Sequence, residues 1–274
     1  TVKASCRLAS GVEASASVPS GASTGAAEAM ELRDGDRARH GGLGCRKAAA
    51  NIAGELQRAL AGKTFANDGS GQAALDQTMV TLDGTANKGR LGANAMLATS
   101  LAFARAVARE RGVALYLHAG DLLGARPKQL PRLTVNLFSG GKHAGGQVSI
   151  QDVLVVPTAA KTIDDSLVAT TAVYRAAGAI VQQRYGQRIL RADEGGLAPP
   201  SANAEAMIED ALTAIRDAGL EPGKDMALAI DVASSHFYAD GRYLLDGESL
   251  TGDGMVKRMA EWTERYPLVS LEDG

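Results

Sequence analysis

The spacing of apolar positions changes period twice along this chain. Val2, Ala4, Cys6 and Leu8 alternate with polar neighbours, and residues 12–18 do the same after the turn Ala9-Ser10-Gly11, so the opening predicts an antiparallel hairpin. The stretch 19–25 breaks all periodicity. From Leu43 the spacing becomes helical: Ala48, Ile52, Leu56 and Leu60 lead to a stop at Gly62, and a second helix over 70–82 stops at Gly84. A longer helix over 93–111 places Met96, Leu97, Leu101, Ala104, Val107 and Ala108 on one face, with Gly112 closing it. A short helix over 115–123 follows. Gly124-Ala125-Arg126-Pro127 then marks a boundary, dividing the chain into domains 1–126 and 127–274.

Beyond Pro131 short apolar runs alternate with longer helical ones. Strands are expected at 133–138, 150–156, 226–232 and 268–271. Helices are expected at 162–183 (apolar at Leu167, Val168, Val173 and Ile180), 201–218 and 254–265, and a small hairpin over 237–244 on Asp240-Gly241. Parallel strands interleaved with helices form either a sheet covered on both faces or a closed barrel. An eight-stranded barrel takes ~250 residues, and the roughly 145 residues here hold four strands, about its first half. The fold class expected is α/β: an α+β N-terminal domain, an antiparallel meander plus helices, followed by part of a (β/α) barrel. The sequence opens without Met inside a strand pattern and stops just after another, which reads as a chain cut at both ends.

Composition narrows the function classes. With 29 Lys+Arg against 31 Asp+Glu the net charge is −2, which gives no electrostatic reason to expect nucleic acid or an anionic membrane surface. Gly is abundant at 32 residues and aromatics make up only 4%, so the core must be built from Ala, Val, Leu and Ile. Cys6 and Cys45 form neither a disulfide framework nor a metal-ligand spacing, which suits a reducing compartment. No apolar run is long enough to span a membrane, and no secretory leader pattern opens the chain.

Five segments carry candidate chemistry. Asp231 and Glu272 each close an expected strand, where barrel enzymes place catalytic groups; paired oxygen ligands there suit Mg2+, and turn capping is the other reading. Asp193-Glu194-Gly195-Gly196 sets an acid beside two glycines, either a general acid or a surface turn. Residues 139–146, Ser-Gly-Gly-Lys-His-Ala-Gly-Gly, form a flexible loop offering Lys142 and His143 without the order of a Walker or dinucleotide motif. Ser20-Gly21-Ala22-Ser23-Thr24-Gly25 is either a mobile lid or a linker.

Together these segments resemble the enolase family. The resemblance rests on residues 18–25 with 28–36, Asn87-Lys88, Leu91-Gly92-Ala93-Asn94-Ala95, Gly140-Gly141-Lys142-His143-Ala144, Ile150-Gln151-Asp152, Asp193-Glu194-Gly195-Gly196-Leu197-Ala198-Pro199, residues 229–234 and Ser270-Leu271-Glu272-Asp273-Gly274, in family order. It implies a divergent bacterial-type hydro-lyase of glycolysis and gluconeogenesis interconverting 2-phosphoglycerate with phosphoenolpyruvate and water. It further implies Mg2+ held by Asp231, Glu272 and the loop Ser23, Glu194 as the catalytic acid, and His143, Gln151 and Asp152 as substrate-binding residues. By the same resemblance a third ligand Asp, the Lys base and a second substrate Lys lie beyond Gly274. A cytoplasmic homodimer or larger homo-oligomer is implied, with a cell-surface or secreted pool as a secondary location, and neither nucleic acid nor a membrane span. Two features depart from the family: Asp152 stands where Glu is usual, retracting a carboxylate by about 1 Å, enough to cost about 10²-fold in rate, and His236 replaces a Glu. Lys142 and Arg191 add positive charge and read as solvated. A catalytically weak paralogue kept for binding, or a superfamily enzyme for another carboxylate substrate, are the alternatives.

Overall fold

The computed structural model describes residues 1–21, 25, 27–186 and 188–274. The chain divides into two compact units, one formed by 1–21 with 27–130 and the other dominated by 131–274. In the first, β1 (Val2–Arg7) and β2 (Glu13–Val18) pair antiparallel with Val2 opposite Val18. The antiparallel sheet of this unit has these two strands among the described residues, a hairpin where a longer meander is expected.

Helices complete the first unit. α1 (Arg46–Asn51) runs through a π-type turn (Ile52–Leu56) into α2 (Gln57–Leu60), and α3 (Gly69–Asp83) ends on Gly84 at φ 70. α4 (Ala93–Glu110) lies on the hairpin and α5 (Leu115–Leu122) follows. The face α4 buries matches the expected one at Met96, Ala104, Val107 and Ala108 and departs from it at two leucines. Leu97 is 49% exposed and Leu101 is exposed too, while Ala95, Ala98, Ala102 and Phe103 are buried in one cluster with Val2, Ala4 and Ala16. Small side chains on both partners let helix and hairpin approach closely, so the alanine stripe wins over the bulkier leucine stripe. Arg105 and Arg109 donate to the Ser15 and Glu13 carbonyls of β2 at 3.0 Å each, satisfying edge groups that water would otherwise hold.

The second unit is built on a four-stranded sheet in the order β3 (Val135–Ser139), β4 (Asp152–Pro157), β5 (Met226–Asp231) and β9 (Leu268–Glu272). It is open, not a closed barrel. Parallel strands throughout are expected from the sequence, yet β3–β4 and β4–β5 are antiparallel and only β5–β9 is parallel. Connectivity explains this. A loop with a single 3-10 turn joins β3 to β4, and two helices, α6 (Ile163–Tyr185) and α7 (Ala204–Asp217), join β4 to β5. One crossover helix returns a strand in the same direction; none or two reverse it. α8 (Gly252–Arg265) is the single crossover before β9, after the small sheet of β6 (Tyr238–Ala239), β7 (Arg242–Leu245) and β8 (Glu248–Leu250).

The core of this unit packs Leu137, Phe138, Val153, Val155, Leu228 and Ile230 of the sheet under α6 and α7. α6 buries Thr170, Val173, Ala177 and Val181, so Leu167 and Val168, expected inside, are exposed one position to the side. Asn203 caps α7, its Oδ1 accepting from the Ala206 N–H at 2.8 Å. The sole tryptophan, Trp262 of α8, is buried and donates to Glu205 at the start of α7.

Candidate functional site

Pairing register gathers the acids. Ser139 lies opposite Asp152, Asp152 opposite Asp231 and Asp231 opposite Glu272, so one row across four strands carries a hydroxyl and three carboxylates at one end of the sheet. Residues in register share a face of a sheet, so reversal of β4 leaves its first residue level with the last residues of β5 and β9.

Each carboxylate has a different environment. Asp231 accepts from Gln151 Nε2 at 2.7 Å and from the Ala233 N–H at 3.1 Å, the latter made possible by Ala233 sitting at φ 48, an uncommon region for a residue with a side chain. Burial nevertheless pushes the Asp231 carboxyl above its ordinary value, and Asp273 adds to the shift. The Glu272 carboxyl is raised chiefly by repulsion from Asp231, then by burial and by Asp273, Asp152 and Glu194. Asp152 is raised by burial although three donors stabilise its charge: Asn136 Nδ2 and Ser139 Oγ, both 2.6 Å from Oδ1, and His143 Nδ1, 3.1 Å from Oδ2.

His143 is set by its loop. A 3-10 turn over Gly141–His143 begins where Gly140 donates to the Gln151 carbonyl at 2.7 Å, and a Cβ on Gly140 would meet the Ile150 carbonyl at 2.5 Å. The imidazole is buried, only 3% exposed, with Nδ1 on Asp152. In the neutral ring, a carboxylate facing Nδ1 favours the proton there, which leaves Nε2 as the lone pair. Nε2 lies 3.9 Å from Glu194 Oε1 and is buried with no hydrogen-bond partner among the described residues.

Glu194 stands on the connection between α6 and α7, its side chain 52% exposed. Gly195 N–H donates to the Ala192 carbonyl at 3.0 Å and Ala192 N–H to the Gly196 carbonyl at 2.8 Å, a tight turn with Gly195 at φ 86. Two anchors hold that turn. Tyr174 of α6 donates its hydroxyl to the Gly195 carbonyl at 2.7 Å, and Leu197 exchanges backbone hydrogen bonds with Leu137 and Ser139 at 2.8 Å. Gly196 is pressed so close to Asn136 and Ser139 that a Cβ would lie 2.5 Å from a polar atom of each.

Of the residues singled out from sequence, His143, Asp152 and Glu194 therefore meet directly, and Asp231, Glu272 and Gln151 join them through the row and through Gln151's bond to Asp231. Ser23 lies outside the described residues. Lys142 is exposed, Arg191 sits 5.9 Å over the Tyr174 ring, and His236 is half-buried with Nδ1 unpartnered among the described residues. Asn136 and Tyr174 lie in no segment that sequence reading singles out for chemistry, while Ser139 and Gly196 stand in such segments without a role of their own. Strand register and the helix α6 bring Asn136 and Tyr174 to the site. Two donor sets for a cation are present: the oxygen pair Asp231–Glu272, whose mutual repulsion a hard divalent ion relieves, and the group His143, Asp152, Glu194, whose ligand atoms lie within 4.8 Å of one another.

Residues 1–119 match the family model described as enolase, N-terminal domain, and residues 127–274 match that described as enolase, C-terminal TIM barrel domain. The chain belongs to the enolase family, a group of metal-dependent lyases acting on small molecules. Among the described residues no helix is long and apolar enough to cross a membrane.

Proposed function

We propose that the full-length protein interconverts 2-phosphoglycerate and phosphoenolpyruvate plus water with Mg2+, a step of glycolysis and gluconeogenesis. The observation that carries this reading is the row Asp152–Asp231–Glu272 with Glu194 and His143 beside it. Eliminating water from a β-hydroxy acid requires stabilising charge on the carboxylate as the C2 proton leaves, and a proton for the departing C3 hydroxyl.

Asp231 and Glu272 are the residues that would hold the cation, which when bound acts as a Lewis acid on the substrate carboxylate. Gln151 fixes Asp231 through the bond from Nε2, and its own Oε1, buried without a partner among the described residues, is placed to accept from a substrate hydroxyl. Glu194, half exposed, gives the proton to the C3 hydroxyl once substrate has displaced water around it. His143, held by Asp152, offers Nε2 3.9 Å from Glu194 Oε1, a placement that supports a substrate-binding role beside the acid. Removal of the C2 proton is not assigned to any of these 274 residues. Ser23 as a further cation ligand, a homo-oligomeric assembly and a cytoplasmic location rest on the family resemblance of the motifs.

The test is turnover of 2-phosphoglycerate followed by the ultraviolet absorbance of phosphoenolpyruvate. Glu194→Gln is expected to lower kcat by about 10²–10⁴-fold, the range of a general acid. Undiminished turnover in that variant removes Glu194 from the role, and no turnover by the unmodified full-length protein removes the substrate assignment.

A further inference from the structure

One ring nitrogen at the site has no hydrogen-bond partner among the described residues. It is Nε2 of His143, whose side chain is 3% exposed, and it faces Glu194 Oε1 at 3.9 Å. Behind it, Nδ1 is bound to a carboxylate that Asn136 and Ser139 hold in turn. A carboxylate on the far nitrogen of an imidazole is the arrangement that orients a metal-ligating histidine and raises its basicity.

We propose that His143 Nε2 and Glu194 form a seat for a borderline divalent ion such as Zn2+, built from other donors than the Asp231–Glu272 pair, with Asp152 as its orienting carboxylate. Chemistry separates the two seats. A nitrogen donor suits Zn2+ or Co2+ and is a poor ligand for Mg2+, which prefers oxygen alone. Zn–N and Zn–O bonds of about 2.1 Å put two tetrahedral ligands about 3.4 Å apart, so the observed 3.9 Å closes with a sub-ångström movement of the half-exposed Glu194. Water or a substrate oxygen completes the shell. On the reading of Glu194 as the acid, an ion bound there withholds the carboxyl from the leaving hydroxyl and switches the enzyme off.

The test uses full-length protein saturated with Mg2+ and reads binding, not activity. Zn2+ is titrated against a chromophoric chelator, and Co2+ is followed by its visible absorption. One extra equivalent per chain that excess Mg2+ does not displace is expected. His143→Gln and Glu194→Gln should each weaken it at least about tenfold, Asp152→Asn by about 10–100-fold, and Asp231→Asn should leave it in place. Absence of the equivalent, its displacement by Mg2+, or its survival in both His143→Gln and Glu194→Gln overturns the seat. Because the Glu194 side chain is half exposed, Glu194→Gln carries the test if His143→Gln does not fold. A protein that binds the ion but turns over no 2-phosphoglycerate keeps this seat and loses the activity reading; turnover without the extra equivalent does the reverse.

Discussion

At the scale of single residues, Asp152 is held by its surroundings more than by its own chemistry. Its side chain fills a buried slot in which Asn136, Ser139 and His143 take both oxygens. Glu is usual at this position by the family resemblance, yet an added methylene here drives the carboxylate into donors already 2.6 Å away. Asp152→Glu is therefore expected to destabilise the protein by about 1–3 kcal/mol, the cost of overpacking a filled site, seen as a lower midpoint in urea. An unchanged midpoint would mean that the slot has room the distances do not show. Ser139→Ala makes the complementary cut. Removing one donor from a buried carboxylate is expected to cost about 1–3 kcal/mol, measured the same way.

Among elements, the connection between α6 and α7 decides where the acid stands. Tyr174 ties that turn to α6 through one hydroxyl, 2.7 Å from the Gly195 carbonyl. Tyr174→Phe keeps the ring packing and removes only this bond. A hydrogen bond contributes about 0.5–1.5 kcal/mol, so kcat should fall by up to about tenfold with KM nearly unchanged; a rise in KM at constant kcat would show that Tyr174 serves binding instead. The sequence makes the elements themselves legible, because period 2 and period 3.6 survive in β1, β2, α3 and α7, and glycines mark the ends. Strand direction was hidden in the number of helices between β4 and β5. The buried face of α4 was legible at Met96, Ala104, Val107 and Ala108 but not at Leu97 and Leu101, because alanine spacing competes with leucine spacing and the hairpin packs against the smaller side chains. Asp231, Glu272, His143 and Glu194 stand out in the sequence as acids and a histidine beside glycines or at strand ends. Asn136 and Tyr174 do not, since an ordinary strand asparagine and helix tyrosine acquire their positions only through pairing and packing.

For the whole molecule, acidity at the site and basicity elsewhere act on stability in opposite senses. Asp152, Asp231 and Glu272 all have carboxyl pKa values raised in the folded state. The fold thus binds their protons more readily than the unfolded chain, so this contribution is fully present below the ordinary carboxylate values and is lost as pH rises through the folded ones. His118 in α5 does the reverse. Burial, then the Arg111 guanidinium donating to its Nδ1 at 2.9 Å, holds its pKa below the ordinary value, outweighing Asp121. Its contribution is present above the ordinary histidine value and lost as pH falls through the folded one. The two slopes separate by substitution. In metal-free protein, Asp231→Asn should raise the melting temperature near pH 7 relative to the parent, a gain that shrinks as the pH falls and the parent carboxyl takes up its proton. Saturating Mg2+ binds only the native state and should raise the parent's melting temperature at pH 7, while the variant, lacking one of the two oxygen ligands, gains much less. Equal stabilisation of both proteins by Mg2+ would show that the cation binds elsewhere and that the row of carboxylates is not its seat.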